Sequence, residues 1–168
     1  SFSVEATSAD SGGQGEPVRT GGVNTDLGNG QAGTGGGKKV DIAVTTERET
    51  NKIRIFSLPD LEPIDNGGIS VFDGESERGP MGLSLYTRPS DQAIFAVVGR
   101  KSGPSGTYLW QYLLSDKNGA VNGQVVRKFG SFSGKKEIEA IAVDNELGYI
   151  YYSDEQAGIK KYLADPAA

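Results

Sequence analysis

Two residue types are missing altogether: among 168 residues there is no cysteine and no histidine. The first absence excludes disulfides, a thiol nucleophile and any zinc–thiolate site. The second removes the commonest general base and the commonest transition-metal ligand, and with them the Ser-His-Asp triad and phosphohistidine chemistry. Any bound metal must be held by oxygen, which points to calcium, magnesium or manganese. No apolar run approaches the roughly 18 residues that span a bilayer. Positive charge is in deficit, with 17 Lys and Arg against 22 Asp and Glu and a net charge of -5. That balance argues against nucleic acid or an anionic membrane as partner.

What is present divides in two. Residues 1–37 hold 11 of the 25 glycines, and Phe2 is their one aromatic. The run "GNGQAGTGGG" cannot bury apolar surface, so 1–37 reads as a Gly-rich flexible leader or a long loop. From Lys38 onward, short runs rich in Val, Ile, Tyr and Phe alternate with turn signals, which predicts an all-β body over 38–168. Strands are expected near 40–46, 52–58, 68–73, 82–87, 93–99, 107–114, 124–132, 138–144, 148–153 and 158–163. "DKNG" (116–119) reads as a tight hairpin turn with glycine at positive φ; it lacks the spaced carboxylates and closing Glu of a calcium loop. The prolines of "SLPDLEPIDNGG" forbid a helix there.

The decisive feature is a repeat. "DIAVTTER", "IFAVVGRK" and "IYYSDE" align so that Arg48, Lys101 and Glu155 share one position, 53 and 54 residues apart. A polar turn and a further strand follow each: "KIRIFSL", "TYLWQYLL" and "GIKKYL". Similar strands, "MGLSLYTR" and "EAIAVDNE", precede two of them and align Met81 with Glu139. A period of 50–58 residues with about four strands per unit is the pattern of propeller blades. Equivalent strand ends then ring one mouth of a central channel, which explains why apolar strands finish on charge. Cations beside carboxylates at a wet mouth suit an anionic ligand held partly through a metal. Taken singly, each charge also reads as an ordinary solvated strand end, and Glu139, inside the strand "IEAIAV", is costly there unless paired or metal-bound.

These stretches resemble the calcium-dependent β-propeller phytases, also called alkaline phytases. "KKVDIAVTTERETNKIRIFSL" is similar to their second blade. "MGLSLYTR", "AIFAVVGRK" and "QYLLSDKNGAVNGQVVRKF" are similar to the third, and "EIEAIAVDNELGYIYYSDEQAGIKKYLADP" to the fourth. The resemblance covers about 38–166. It implies about three four-stranded blades of a six-bladed fold, the last incomplete. It also implies hydrolysis of the phosphomonoesters of myo-inositol hexakisphosphate, phytate or calcium-phytate, by metal-activated water with calcium as cofactor. On that resemblance Arg48 and Lys101 contact substrate phosphate, and Glu139 and Glu155 serve both catalysis and calcium. Asp154 is a further metal ligand, and the protein is secreted. Met81 replaces a tyrosine that reaches a phosphate in the family, and Ser102 replaces an acidic residue. The first blade's calcium motif and the fifth and sixth blades have no counterpart.

The chain is therefore expected to be part of a longer enzyme, inactive alone. The remaining blades are expected from the same longer chain or from a second half-propeller. Two other readings stay open: a non-catalytic propeller segment that binds calcium and phosphorylated ligands, and a scaffold or adhesion propeller whose charges are merely solvated.

Overall fold

The computed structural model describes residues 19–25, 38–138 and 140–168. Among them there are eleven strands and no helix, in three antiparallel sheets. The first contains β1 (Arg19–Thr25), β2 (Lys38–Glu47), β3 (Lys52–Ser57) and the short β4 (Ile69–Ser70). The second contains β5 (Pro80–Thr87), β6 (Ile94–Arg100), β7 (Leu109–Lys117) and β8 (Ala120–Phe129). The third contains β9 (Ile141–Asp144), β10 (Tyr149–Asp154) and β11 (Gly158–Leu163). Each sheet is a meander with neighbouring strands consecutive in sequence. β5 lies against both β1 and β9, so the first strands of successive sheets adjoin, as the inner strands of propeller blades do.

Two apolar layers hold the sheets together. One packs Ile42, Val44, Ile53 and Ile55 of the first sheet against Leu83, Ile94, Ala96, Val98 and Trp110 of the second. The other packs Phe95, Val97 and Leu109 against Ile141, Ile150 and Tyr152 of the third. Alternate residues of β6 enter opposite layers, and every residue of the strand is buried. A strand covered on both faces loses the in/out alternation of polarity, which is why "IFAVV" is continuously apolar. Polar cross-links reinforce the layers. The Tyr112 hydroxyl accepts from the Phe72 amide at 2.8 Å, and Gln111 Nε2 donates to the Ala164 carbonyl at 2.8 Å.

The predicted body matches the observed strands in number and order over 38–168, with differences in extent: β4 is only Ile69–Ser70 against the expected 68–73, and β8 starts at Ala120 rather than near 124. β1 was not expected. "RTGGVNT" has a glycine pair and a single apolar residue, so it carries no strand pattern of its own, yet its backbone pairs with β2 from Arg19↔Val44 to Thr25↔Lys38. The remainder of 1–37 (1–18 and 26–37) lies outside the described residues. β9 also starts late, at Ile141 rather than near 138. The hairpin at 116–119 forms as read: Asn118 and Gly119 both take positive φ, 58° and 80°, between the paired Lys117 and Ala120. Those angles are of the type I′ turn, whose twist suits a two-residue hairpin.

One buried carboxylate braces the first sheet. Asp65 accepts from Arg54 Nε at 2.8 Å and from the amides of Ile55 at 2.7 Å and Gly67 at 3.2 Å. Burial, the largest single influence, acts to raise its pKa; the guanidinium and the amides outweigh it and hold the carboxyl below its ordinary value of 3.8. A carboxyl lowered by folding stabilises the native state above the ordinary carboxylate range, and that contribution disappears as pH falls through the lowered value. Asp65→Ala should cost about 3 kcal/mol at neutral pH, since it strands a guanidinium and two amides. Asp65→Asn should flatten the acid limb of a stability–pH profile below about pH 4. Urea denaturation across pH 2–7 checks both; a neutral Asp65→Ala would contradict the bracing role.

Candidate functional site

The repeat alignment has a plain structural meaning. Arg48, Lys101 and Glu155 are each the first residue past the second strand of their sheet: β2 ends at Glu47, β6 at Arg100 and β10 at Asp154. All three are exposed, at equivalent corners of three successive sheets.

Lys101 and Glu155 line one open cleft of about 480 Å³, together with Phe132, Lys135, Lys136 and Glu137. Two sheets thus contribute a cation and a carboxylate to the same space, and the loop between β8 and β9 supplies two further cations. Lys101 Nζ lies 3.1 Å from Glu137 Oε1. Arg48 is outside this cleft, but one residue links it to Lys101. The Lys101 amide donates to the Gly79 carbonyl at 2.9 Å, and a Cβ placed on Gly79 would sit 3.7 Å from Arg48 Cγ. The Arg48 guanidinium also rests on the Met81 sulfur, at the position aligned with Glu139. Lys101 therefore stands between Arg48 on one side and Glu155 on the other.

Asp154 has a different environment from its neighbour. It is buried, and its carboxylate accepts from the Ser133 hydroxyl at 2.6 Å and the Ser133 amide at 3.0 Å, with Lys160 Nζ 3.9 Å away. The predicted ligand is thus turned inward and anchors the 131–137 loop that walls the cleft. Lys135 Nζ ties the same loop to the Gln156 carbonyl at 3.2 Å. Glu139 lies outside the described residues.

Beneath the rim sits Arg100, wholly buried. It reaches Glu75 at 3.2 Å, the Glu77 carbonyl at 2.9 Å and the Thr107 carbonyl at 3.1 Å, with its guanidinium 4.7 Å from the centre of the Phe72 ring. The guanidinium presses so close to Gly103 that a Cβ there would fall 2.3 Å from Arg100 Nε, so position 103 has no room for a side chain. In the sequence Arg100 stands out only as the penultimate residue of "IFAVVGRK". Nothing in a linear pattern separates it from Lys101, yet successive strand residues point to opposite sides. Lys135, Lys136 and Glu137 were also overlooked. Their one signal is a charged triplet, "KKE", at the entrance to an apolar strand.

The available donors are all oxygen ligands, which fits a hard cation such as calcium. Among the described residues, however, no three carboxylates converge as a complete metal site. The cleft by itself offers Glu155 and a Glu137 already engaged by Lys101.

Comparison with known proteins agrees with the repeat. A family model described as Phytase matches residues 16–168. The 3-phytase of Bacillus subtilis (strain 168) is 29% identical over 136 residues, an overlap of 77% of this chain and 34% of the relative. The chain thus spans about a third of that relative's length. The match beginning at residue 16 also takes in β1, which the sequence reading had left without structure.

Removing the Asp154 carboxylate should loosen the wall of the cleft. Asp154→Ala leaves the Ser133 amide and hydroxyl without their acceptor, at a cost of about 1–3 kcal/mol. Faster amide exchange across 131–136 should accompany the loss of stability. Unchanged exchange in that loop would show that Asp154 does not anchor it.

Proposed function

The chain belongs to the phytase family, and from that premise we propose that it forms part of a calcium-dependent phosphomonoesterase acting on myo-inositol hexakisphosphate. The observation that carries this reading is the placing of Lys101 and Glu155, from two sheets, in one cleft. A phosphate monoester resists attack because its oxygens repel an anionic nucleophile. Cations that neutralise those oxygens are the main thing an enzyme must supply. In this reading Arg48 grips phosphate with its planar fork and Lys101 acts as a point charge. Glu155 and Glu139 hold calcium, and Asp154 supports them through the chain it anchors. When bound, calcium supplies charge neutralisation and a water of lowered pKa. Glu155 would also orient the attacking water.

The remaining oxygen ligands are assigned to further blades, from the same longer polypeptide or from a second copy. The substrate is phytate or its calcium complex, and the setting is extracellular, as the resemblance implies. The absence of histidine and cysteine is compatible with this route, since neither a histidine nor a thiol nucleophile takes part.

A second reading, binding of calcium and phosphorylated ligands without turnover, is favoured by a cleft in which, among the described residues, three lysines, Lys101, Lys135 and Lys136, outnumber two carboxylates. The two readings separate in one experiment on the intact protein that contains this chain. Phosphate release from calcium phytate should fall about 10²–10³-fold in Glu155→Gln and in Lys101→Met, the size of effect seen when one preorganised electrostatic contact is lost. Chelation of calcium should abolish release in the unaltered protein. If calcium and phytate raise the melting temperature but no phosphate is released, the binding reading stands and the enzyme reading falls.

A further inference from the structure

Among the described residues, Glu137 is the one carboxylate lining the cleft to which the function proposed above gives no task. Its carboxylate is 3.1 Å from Lys101 Nζ, close enough for a direct ion pair, and both side chains are solvent-accessible. The carboxylate therefore occupies the place beside Lys101 where a phosphate oxygen is to bind.

This pairing rests on a built frame. Tyr108 is wholly buried and comes from the second sheet's side of the cleft. Its hydroxyl donates to the Arg100 carbonyl, and its ring packs on Phe132 of the 131–137 loop with centres 4.3 Å apart. One side chain thus joins the residue before Lys101 to the loop that carries Glu137. Ile138 is itself fully buried in the layer between the second and third sheets. On its other side the loop is held by Ser133 on Asp154 and by Lys135 on the Gln156 carbonyl. The backbone flanking Glu137 is thereby fixed, while its side chain, like that of Lys101, is open to water. The pair can part by side-chain rotation alone, with no movement of the loop.

We propose that Glu137 is a built-in competitor: a carboxylate that occupies Lys101 until a phosphate group displaces it. The inference rests on reading Lys101 as a phosphate contact. An exposed ion pair is weak, so a dianionic phosphate that brings more charge displaces it readily. A monoanion such as chloride or acetate gains little over the carboxylate it must replace. Glu137 thus raises by one factor the threshold that every anion must pass, and weakly bound anions fall below it. Tyr108 is a positioning residue for the same pair, because its hydroxyl holds the backbone before Lys101 while its ring packs on the loop that carries Glu137.

The test uses inorganic phosphate, titrated in calcium-free buffer into the intact protein and followed on the side-chain NMR signals of Lys101. Glu137→Gln keeps the shape and removes the charge. It should tighten phosphate binding about two- to fivefold, the equivalent of one exposed pair, and tighten acetate binding by the same factor. Tyr108→Phe should shift the Lys101 signals toward those of Glu137→Gln while the rest of the spectrum is kept. Equal or weaker phosphate binding in Glu137→Gln, with Lys101 responding in both proteins, would overturn the inference while leaving Lys101 as a phosphate contact. No response of Lys101 to phosphate in either protein would overturn that reading of Lys101, and the inference with it.

Discussion

The structure depends on burial of the middle sheet from both sides. β6 has no solvent face: Ile94, Ala96 and Val98 fill one layer, and Phe95 and Val97 the other. Flanking sheets must therefore be present for the middle one to be stable, and they must approach at side-chain packing distance. That constraint fixes where strand ends fall. Once the apolar segments of β2, β6 and β10 are stacked in register, the residues just beyond them have nowhere to go but the rim. The charged corner of each sheet follows from the packing of its interior, and the cleft follows from the corners.

Much of this was legible in the sequence because it depends on period and polarity. The strand-turn rhythm after Lys38, the Asn118-Gly119 hairpin and the common position of Arg48, Lys101 and Glu155 are all local or repetitive signals. β1 was not legible. Its pairing with β2 is a backbone property, and a Gly-rich segment joins a sheet when the neighbouring edge offers unpaired hydrogen-bonding groups, whatever its own propensity. The inward turn of Asp154 was hidden for another reason. In "YIYYSDE" the two acidic residues are adjacent, and composition treats them alike. The strand alternation sends one into the interior toward Ser133 and leaves the other at the cleft.

The site shows how one surface can serve opposite charges. Cations at Lys101, Lys135 and Lys136 stand among the carboxylates of Glu137 and Glu155. Pure positive potential would collect any anion, and pure negative potential any cation. Interleaving the two favours a ligand that presents both, an anionic group accompanied by its own counter-ion. An overall acidic chain can hold such a ligand without becoming a general anion trap.

Arg100 carries a consequence for motion. Its guanidinium binds the 72–79 segment through Phe72, Glu75 and Glu77, and the 101–107 segment through Thr107. Neither segment can lift away without exposing the same buried cation's unmet bonds, so the two rim segments are joined in a single opening event. Rim loops of a binding cleft usually rank among the least protected parts of a protein. Here the protection of the rim is set by the core of the second sheet, to which Arg100 belongs, so the entrance should breathe on the timescale of that sheet and not of its own loops.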